Sequence, residues 1–139
     1  MSTMDRYFLA FHVLGALMWI GSMFSVMAFL EAVHGESDAS ARGRLIKFLR
    51  QAAIVPDVGA TISILFGAHW LFHYKLYQAP YMHAKLACVL GVIALHVWLR
   101  IKVRHARKGE PFTPPPPALK GALTVIATAI LIFVIVKPF

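Results

Sequence analysis

Four long runs of apolar residues, separated by short charged segments, dominate the hydropathy pattern of this chain. The runs that lack any formally charged side chain are residues 7–30, 58–74, 86–99 and 121–136. A helix needs about 20 mostly apolar residues to cross the hydrocarbon core of a bilayer. The pattern therefore predicts an all-α protein, an integral membrane four-helix bundle that forms one domain over residues 1–139. The predicted transmembrane helices cover about residues 4–30, 56–76, 80–104 and 118–136.

The composition supports a membrane protein and disfavours a nucleic-acid partner. Hydrophobic residues make up 59% of the chain and charged residues 14%, and the mean hydropathy is +0.68, as expected of a protein surrounded by membrane lipid. The net charge of +8 could indicate nucleic-acid binding, but the basic residues lie where helices end and form no basic face with interleaved aromatics. The first apolar run is too long for a signal-peptide core, so we interpret it as a retained helix.

The distribution of lysine and arginine predicts the orientation of the helices. Ten basic residues follow the first and third apolar runs: Arg42, Arg44, Lys47, Arg50, Arg100, Lys102, Arg104, Arg107, Lys108 and Lys120. The opposite side has four, namely Arg6, Lys75, Lys85 and Lys137. Since short loops rich in lysine and arginine stay in the cytoplasm, both termini should be periplasmic. We expect a multi-pass protein of the bacterial inner (cytoplasmic) membrane.

Three ionisable side chains on three different helices fall at one depth in the predicted membrane. At about 1.5 Å per residue, His12, His69 and Lys85 all lie roughly 6–7 Å inside the outer end of their helices. Ionisable groups are costly at that depth and are candidates for a functional site. Simpler explanations stay open, because Lys85 could extend its ammonium outward and each histidine could simply bond a neighbouring helix. His73 and His83 lie nearer the interface, where hydration is the simplest interpretation.

Two further patterns concern how the helices pack. Gly59, Ser63 and Gly67 form a row of small residues that lets another helix approach closely, and the short connector before residue 80 predicts that the second and third helices are antiparallel neighbours. Lys85 and His96 lie on one face of the third helix, roughly 16 Å apart along its axis. That face resembles the wall of a long apolar slot with a polar group at each end. Alternatively, His96 pairs with Asp57, for which Arg100 is the other candidate partner.

The residue types favour haem over other metal cofactors. Neutral imidazole binds iron, copper and zinc, and inward histidines with flat apolar walls suit haem. A single cysteine, Cys88, and no close ligand cluster disfavour structural zinc. Met18, Met23 and Met27 could favour copper, but methionine is ordinary packing in such a helix. Neither a nucleotide-binding loop nor a nucleophile motif is present.

Short motifs along most of the chain resemble the HemJ-type protoporphyrinogen IX oxidases. The motifs, in the family's order, are Phe11-His12 with Trp19-Ile20-Gly21, His83-Ala84-Lys85-Leu86 with Leu95-His96, and Lys137-Pro138-Phe139. The resemblance implies a membrane protein that binds haem b and oxidises protoporphyrinogen IX to protoporphyrin IX. It also implies a porphyrin or porphyrinogen ligand, a membrane electron acceptor and homo-oligomers.

The resemblance also implies roles for individual residues. The family's functional histidine matches His12 and its functional lysine matches Lys85, while His96 matches a further recurrent histidine. Lys85 would be catalytic, either pairing with a propionate or acting as a base. His12 would hold the haem iron, with His69 the second ligand by depth or His96 by resemblance. Trp19, on the same face as His12, completes the cofactor-binding set.

Two departures from the family pattern leave the activity open. The family has an arginine near the end of helix 1, where residues 27–34 contain none, and a carboxylate at the start of helix 4, where residues 120–124 contain none. These losses favour a second hypothesis, a non-catalytic haem-binding electron-transfer or accessory subunit of a larger membrane complex. A third hypothesis is a structural or copper-handling helix bundle.

Overall fold

The computed structural model describes residues 2–136, and the regular secondary structure within them is helical. The helices are α1 (Thr3–Gly35), α2 (Ala39–Ala52), α3 (Ile54–His73), α4 (Pro80–Lys108) and α5 (Pro117–Ile135), with a 3-10 turn at Leu76–Gln78. Four helical stretches are long and apolar enough to cross a membrane: α1, α2 with α3, α4 and α5. The predicted all-α class and the four membrane-length helices are confirmed. The motif Lys137-Pro138-Phe139 lies outside the described residues.

The helix ends follow local sequence signals. The Ser2 hydroxyl accepts a hydrogen bond from the Asp5 backbone N–H at 3.2 Å, and the Asp5 carboxylate accepts one from the Ser2 N–H at 2.7 Å. This reciprocal pair is a capping box that starts α1. α3 ends earlier than the predicted residue 76, because Lys75 has a φ of 52°, outside the helical region. Gly109, with a φ of 70°, ends α4.

The connector predicted between the first two membrane helices is mostly helical. α1 continues five residues beyond the predicted end at Leu30, as far as Gly35, and α2 then occupies Ala39–Ala52. Asp38 caps α2 by accepting a hydrogen bond from the Ala41 N–H at 2.7 Å. Leu49 is fully buried, so the apolar side of α2 packs against the neighbouring helices.

α1 and α3 make the closest helix contact in the molecule, and glycines make it possible. A Cβ atom at Gly59 would lie 2.5 Å from the backbone nitrogen of Trp19, and one at Gly15 would lie 2.6 Å from that of Ser63. Only a residue without a side chain fits at such distances. The row of small residues on α3 is therefore the surface on which α1 packs.

The apolar core lies toward one end of the helices. We call this end the inner half, after the predicted topology, and the end that carries His12 and Lys85 the outer half. The largest fully buried side chains are Met23, Met27, Leu30, Val33, Leu49, Val92, Val103 and Leu123, most of them in the inner half. By contrast, α1 exposes Tyr7, Phe11 and Leu14 in the outer half.

α3 and α4 follow each other in sequence, but their backbones do not pack closely. α1 packs on both helices, and α4 packs mainly on α5. α3 and α4 correspond to the second and third predicted membrane helices. The prediction that these two are neighbours is therefore correct for their short connection and for a few side-chain contacts near Asp57, but not for their backbones. The small-residue face of α3 is occupied by α1, which leaves a cleft between α3 and α4.

Candidate functional site

His12 is fixed by hydrogen bonds from α1 to the backbone of α3. Its Nδ1 lies 2.8 Å from the carbonyl oxygen of Ser63 and 3.3 Å from the hydroxyl of the same residue. A carbonyl oxygen only accepts hydrogen bonds, so Nδ1 must carry the proton. In the neutral ring Nε2 then keeps its lone pair, which is the state of a histidine prepared to bind a metal.

A glycine on α3 provides the space for this imidazole. A Cβ atom at Gly67 would lie 2.8 Å from Cε1 of His12 and 3.0 Å from its Nδ1. The ring therefore rests on the Gly67 backbone, one helical turn from its hydrogen-bond partner Ser63. The small-residue row of α3 thus both brings α1 close and accommodates the histidine.

Lys85 approaches the same region from α4. Its side chain is half-buried, and its charge interacts with the imidazole of His12. Within residues 2–136 no side chain forms an ion pair or a hydrogen bond with its ammonium. An unpaired cation in apolar surroundings is unfavourable unless a partner is supplied, and a ligand carboxylate is one such partner.

His69 shares the depth of His12 but lies on another flank of α3. Its ring contacts the edge of Phe8, with centroids 4.7 Å apart, and stacks on His73 at 5.2 Å. Gly67, which supports His12, and His69 are two residues apart and so point about 200° apart around the helix. Within one chain the structure does not bring His69 and His12 together, so their joint ligation of iron stays a sequence-based prediction.

A polar pair lies at the outer end of the α1–α3 contact. The Asp5 carboxylate accepts a hydrogen bond from the Tyr74 hydroxyl, and this bond raises the pKa of Tyr74. Nearby, the carbonyl oxygen of Tyr77 lies 2.7 Å from Nε2 of His83. Both His73 and His83 are exposed, consistent with their predicted position near the interface.

A chain of polar contacts joins three helices in the inner half. The indole N–H of Trp19 donates to Nδ1 of His96 at 3.0 Å. Nε2 of His96 lies 3.0 Å from Oδ1 of Asp57, and an Arg100 Nη lies 3.3 Å from Oδ2. The alternative that His96 pairs with Asp57 is what the structure shows, and Arg100 joins them.

These contacts occupy both ring nitrogens of His96. Nδ1 accepts from Trp19, so in the neutral ring Nε2 carries the proton and donates it to Asp57. Neither nitrogen is free to bind iron in this arrangement, and the indole N–H of Trp19 is likewise engaged. Sequence reasoning missed the bond between Trp19 and His96, although both residues lie at similar predicted depths below Tyr7 and Tyr81.

A cleft opens between α3 and α4 beside this polar chain. Its volume is about 440 Å³, within the range of small-molecule sites. The residues that line it are Asp57, Ala60, Thr61, Ile64, Leu65 and His96. The cleft has apolar walls and a polar inner end, and it opens at the surface of the helices.

Comparison with known proteins identifies no relative: no family model, no curated protein and no solved structure matches this chain. Within residues 2–136 no group of three or more histidine, cysteine or acidic side chains could hold a metal ion. A bare ion would need such a group, whereas the iron of a haem brings its own pyrrole nitrogens and needs one or two protein ligands. The donor set around His12 therefore fits haem better than it fits a free metal ion.

Proposed function

We propose that this protein is a divergent relative of the HemJ-type oxidases and that it binds haem b in a bacterial inner membrane through His12. The observation that carries the proposal is the Nδ1 hydrogen bond of His12 to the Ser63 carbonyl, which leaves Nε2 available for iron. Metal-binding histidines commonly donate their other ring N–H to a carbonyl or carboxylate in this way. Haem would supply one-electron chemistry at its iron.

Lys85 supports a porphyrin or porphyrinogen as the ligand. Its ammonium has no partner within residues 2–136 and interacts electrostatically with His12. A tetrapyrrole is flat and apolar and carries two carboxylates, one of which would neutralise Lys85. The proposed reaction is oxidation of protoporphyrinogen IX to protoporphyrin IX, in which Lys85 binds a carboxylate or accepts a proton.

The membrane arrangement is part of the same proposal. Four helices would form a membrane bundle with both termini in the periplasm, as the excess of lysine and arginine on the other side favours. The helices expose large apolar side chains along α4 and α5, among them Leu90, Val97, Val125 and Leu131. Such faces suit contact with lipid or with further copies of the chain in a homo-oligomer.

The two departures from the family pattern involve residues that pair with each other. Glu31 on α1 and Lys120 on α5 form an ion pair, with Nζ 2.9 Å from Oε2. The resemblance implies a cation on the first helix and an anion on the fourth, so this chain has the opposite signs. The exchange is compatible with a divergent member that keeps the connection between these helices.

A non-catalytic haem-binding electron-transfer or accessory subunit of a larger membrane complex is the second candidate. It is favoured by the two departures themselves, because residues 27–34 lack the family's helix 1 arginine and residues 120–124 lack its helix 4 carboxylate. Porphyrinogen oxidation by the purified protein separates the two candidates.

Haem binding is tested by the reduced-minus-oxidised absorption spectrum of the detergent-purified protein and two histidine variants. We expect b-type bands in the wild type and in His105→Ala, and their loss in His12→Ala. His105 is the control histidine, because its side chain is 41% exposed near the end of α4 and contacts Glu110. A normal spectrum in His12→Ala would remove His12 from the site, and the absence of haem from all three after reconstitution would contradict the proposal.

A further inference from the structure

We propose that the cleft between α3 and α4 binds the head group of a lipid-soluble quinone. The inference rests on the proposed function and deepens it by naming the chemical class of the membrane electron acceptor. It is carried by the position of the cleft, by the apolar character of its walls and by the Asp57 carboxylate at its inner end.

The position of the cleft suits a ligand that arrives through lipid. Ile64 and Leu65 on its wall are 45% and 65% exposed, so its apolar side faces outward, where the membrane would be. Asp57 lies in the first turn of α3, close to the predicted inner surface. The ten residues between Asp57 and Gly67 span roughly 15 Å along the helix, which separates the polar end of the cleft from the region of His12.

The Asp57 carboxylate is the hydrogen-bonding group that the inner end of the cleft offers to a quinone head group. Its Oδ1 contacts Nε2 of His96 and its Oδ2 contacts Arg100, and each oxygen keeps a second lone pair that can accept from a quinol hydroxyl. A quinone carbonyl would receive the His96 N–H only in exchange for its bond to Asp57. The Trp19 indole N–H, which donates to Nδ1 of His96, keeps the ring proton on the nitrogen that faces Asp57.

The electron balance links this site to the proposed oxidation. A quinone that leaves as a quinol gains two electrons and two protons, and the porphyrinogen loses the same number for each quinone reduced. A lipid acyl chain could fill the apolar wall of the cleft but would make no hydrogen bond with the spare lone pairs of the Asp57 carboxylate. A quinone occupies both parts, with its ring at the polar end and its isoprenoid tail along Ile64 and Leu65.

The test uses Trp19 as a reporter, because its indole contacts His96. In a Trp70→Phe, Trp98→Phe background Trp19 is the remaining tryptophan, and its fluorescence is titrated with decylubiquinone in nanodiscs. We expect saturable quenching. Ala60→Leu, which narrows the cleft from its α3 wall, should weaken binding about tenfold or more. Ala122→Leu on the exposed face of α5 is the matched control and should bind like the background.

A second variant keeps the proposal testable if Ala60→Leu does not fold. Asp57→Asn preserves size but removes the anionic acceptor, so it should weaken binding of the quinol more than binding of the quinone. Quenching that does not saturate, or that is equal in the background, Ala60→Leu and Asp57→Asn, would overturn the quinone site.

The test also separates this inference from the proposed function. His12→Ala should lose haem and retain saturable quinone binding. Saturable binding by a wild type that takes up no haem would contradict the proposed function but not the quinone site. Haem uptake without saturable quinone binding would contradict the quinone site but not the proposed function.

Discussion

The two halves of the molecule hold a histidine between helices in opposite ways. In the inner half both nitrogens of His96 are hydrogen-bonded, to Trp19 and Asp57, and the largest buried side chains lie close by. In the outer half only Nδ1 of His12 is bonded to the protein, and within residues 2–136 Lys85 has no ion-pair partner. Buried polar groups are usually satisfied, so His96 is fully bonded within the protein, whereas His12 and Lys85 keep bonding capacity for a ligand.

A second observation in the outer half agrees with this contrast. The indole N–H of Trp70 is buried and has no hydrogen-bond partner among residues 2–136, while its ring stacks on Tyr74 with centroids 4.5 Å apart. Unsatisfied groups of this kind are uncommon and cost about 1–3 kcal/mol. Together with the unpaired Lys85 ammonium, this indole makes the outer half the more promising place for a bound cofactor.

The sharpest test of the outer half is the substitution Lys85→Met, which keeps a long apolar side chain and removes the charge. If Lys85 acts on the porphyrinogen, oxidation by the haem-loaded protein should fall about 100-fold or more, while the haem spectrum changes little. The rate of protoporphyrin formation, followed by fluorescence, measures the effect. Lys47→Met, at an exposed position on α2, is the control. Unchanged oxidation in Lys85→Met would show that this lysine is not catalytic.

Apolar runs predict most of this fold because the bilayer fixes the length of a spanning helix. Counting residues also predicts that His12 and Lys85 lie at one level, and the structure brings the lysine charge close enough for a Coulomb interaction with His12. Counting residues cannot decide which flank of α3 meets which neighbour. For that reason His69 looked equivalent to His12, and the Trp19–His96 bond was not foreseen.

The separation of α3 and α4 was equally inaccessible to sequence reasoning. A short connector usually joins neighbouring helices, but here α1 occupies the small-residue face of α3 that a close neighbour would need. Deciding between α1 and α4 as the partner of Gly59 requires tertiary contacts that the apolar pattern does not contain. The cleft beside Asp57 is a consequence of that choice.

Removing one member of the inner polar chain should lower stability and leave haem binding intact. Asp57→Ala leaves the His96 N–H and the Arg100 guanidinium without their partner, at a cost of about 1–3 kcal/mol in the free energy of unfolding. Titration of helicity with SDS measures this loss. Glu110→Ala breaks only exposed contacts with His105 and Lys108 and should cost no more than about 1 kcal/mol. Loss of haem in Asp57→Ala would contradict the separation of the two halves.

Gly67→Ala should disturb the outer site without removing a ligand. The new Cβ would lie 2.8 Å from Cε1 of His12, so the imidazole must shift, at a cost of about 1 kcal/mol or more. We expect a weaker haem affinity and a displaced absorption maximum, both measured by haem titration. Gly121→Ala, where a Cβ would meet nothing within 4 Å, should behave like the wild type. Equal haem affinity in the two variants would show that the position of the His12 ring does not matter.

The smallest expected effect concerns the ion pair between Glu31 and Lys120, which ties α1 to α5. Both side chains are more than a third exposed, at 37% and 38%, so each single variant, Glu31→Lys or Lys120→Glu, should cost about 0.2–1 kcal/mol. The double variant restores opposite charges with the signs that the family resemblance implies, and its stability should return close to that of the wild type. A double-mutant cycle of SDS unfolding measures the coupling. If the double variant is as unstable as the sum of the single variants, the two residues do not act as a pair, and the exchange of charges is no longer support for a divergent member of the family.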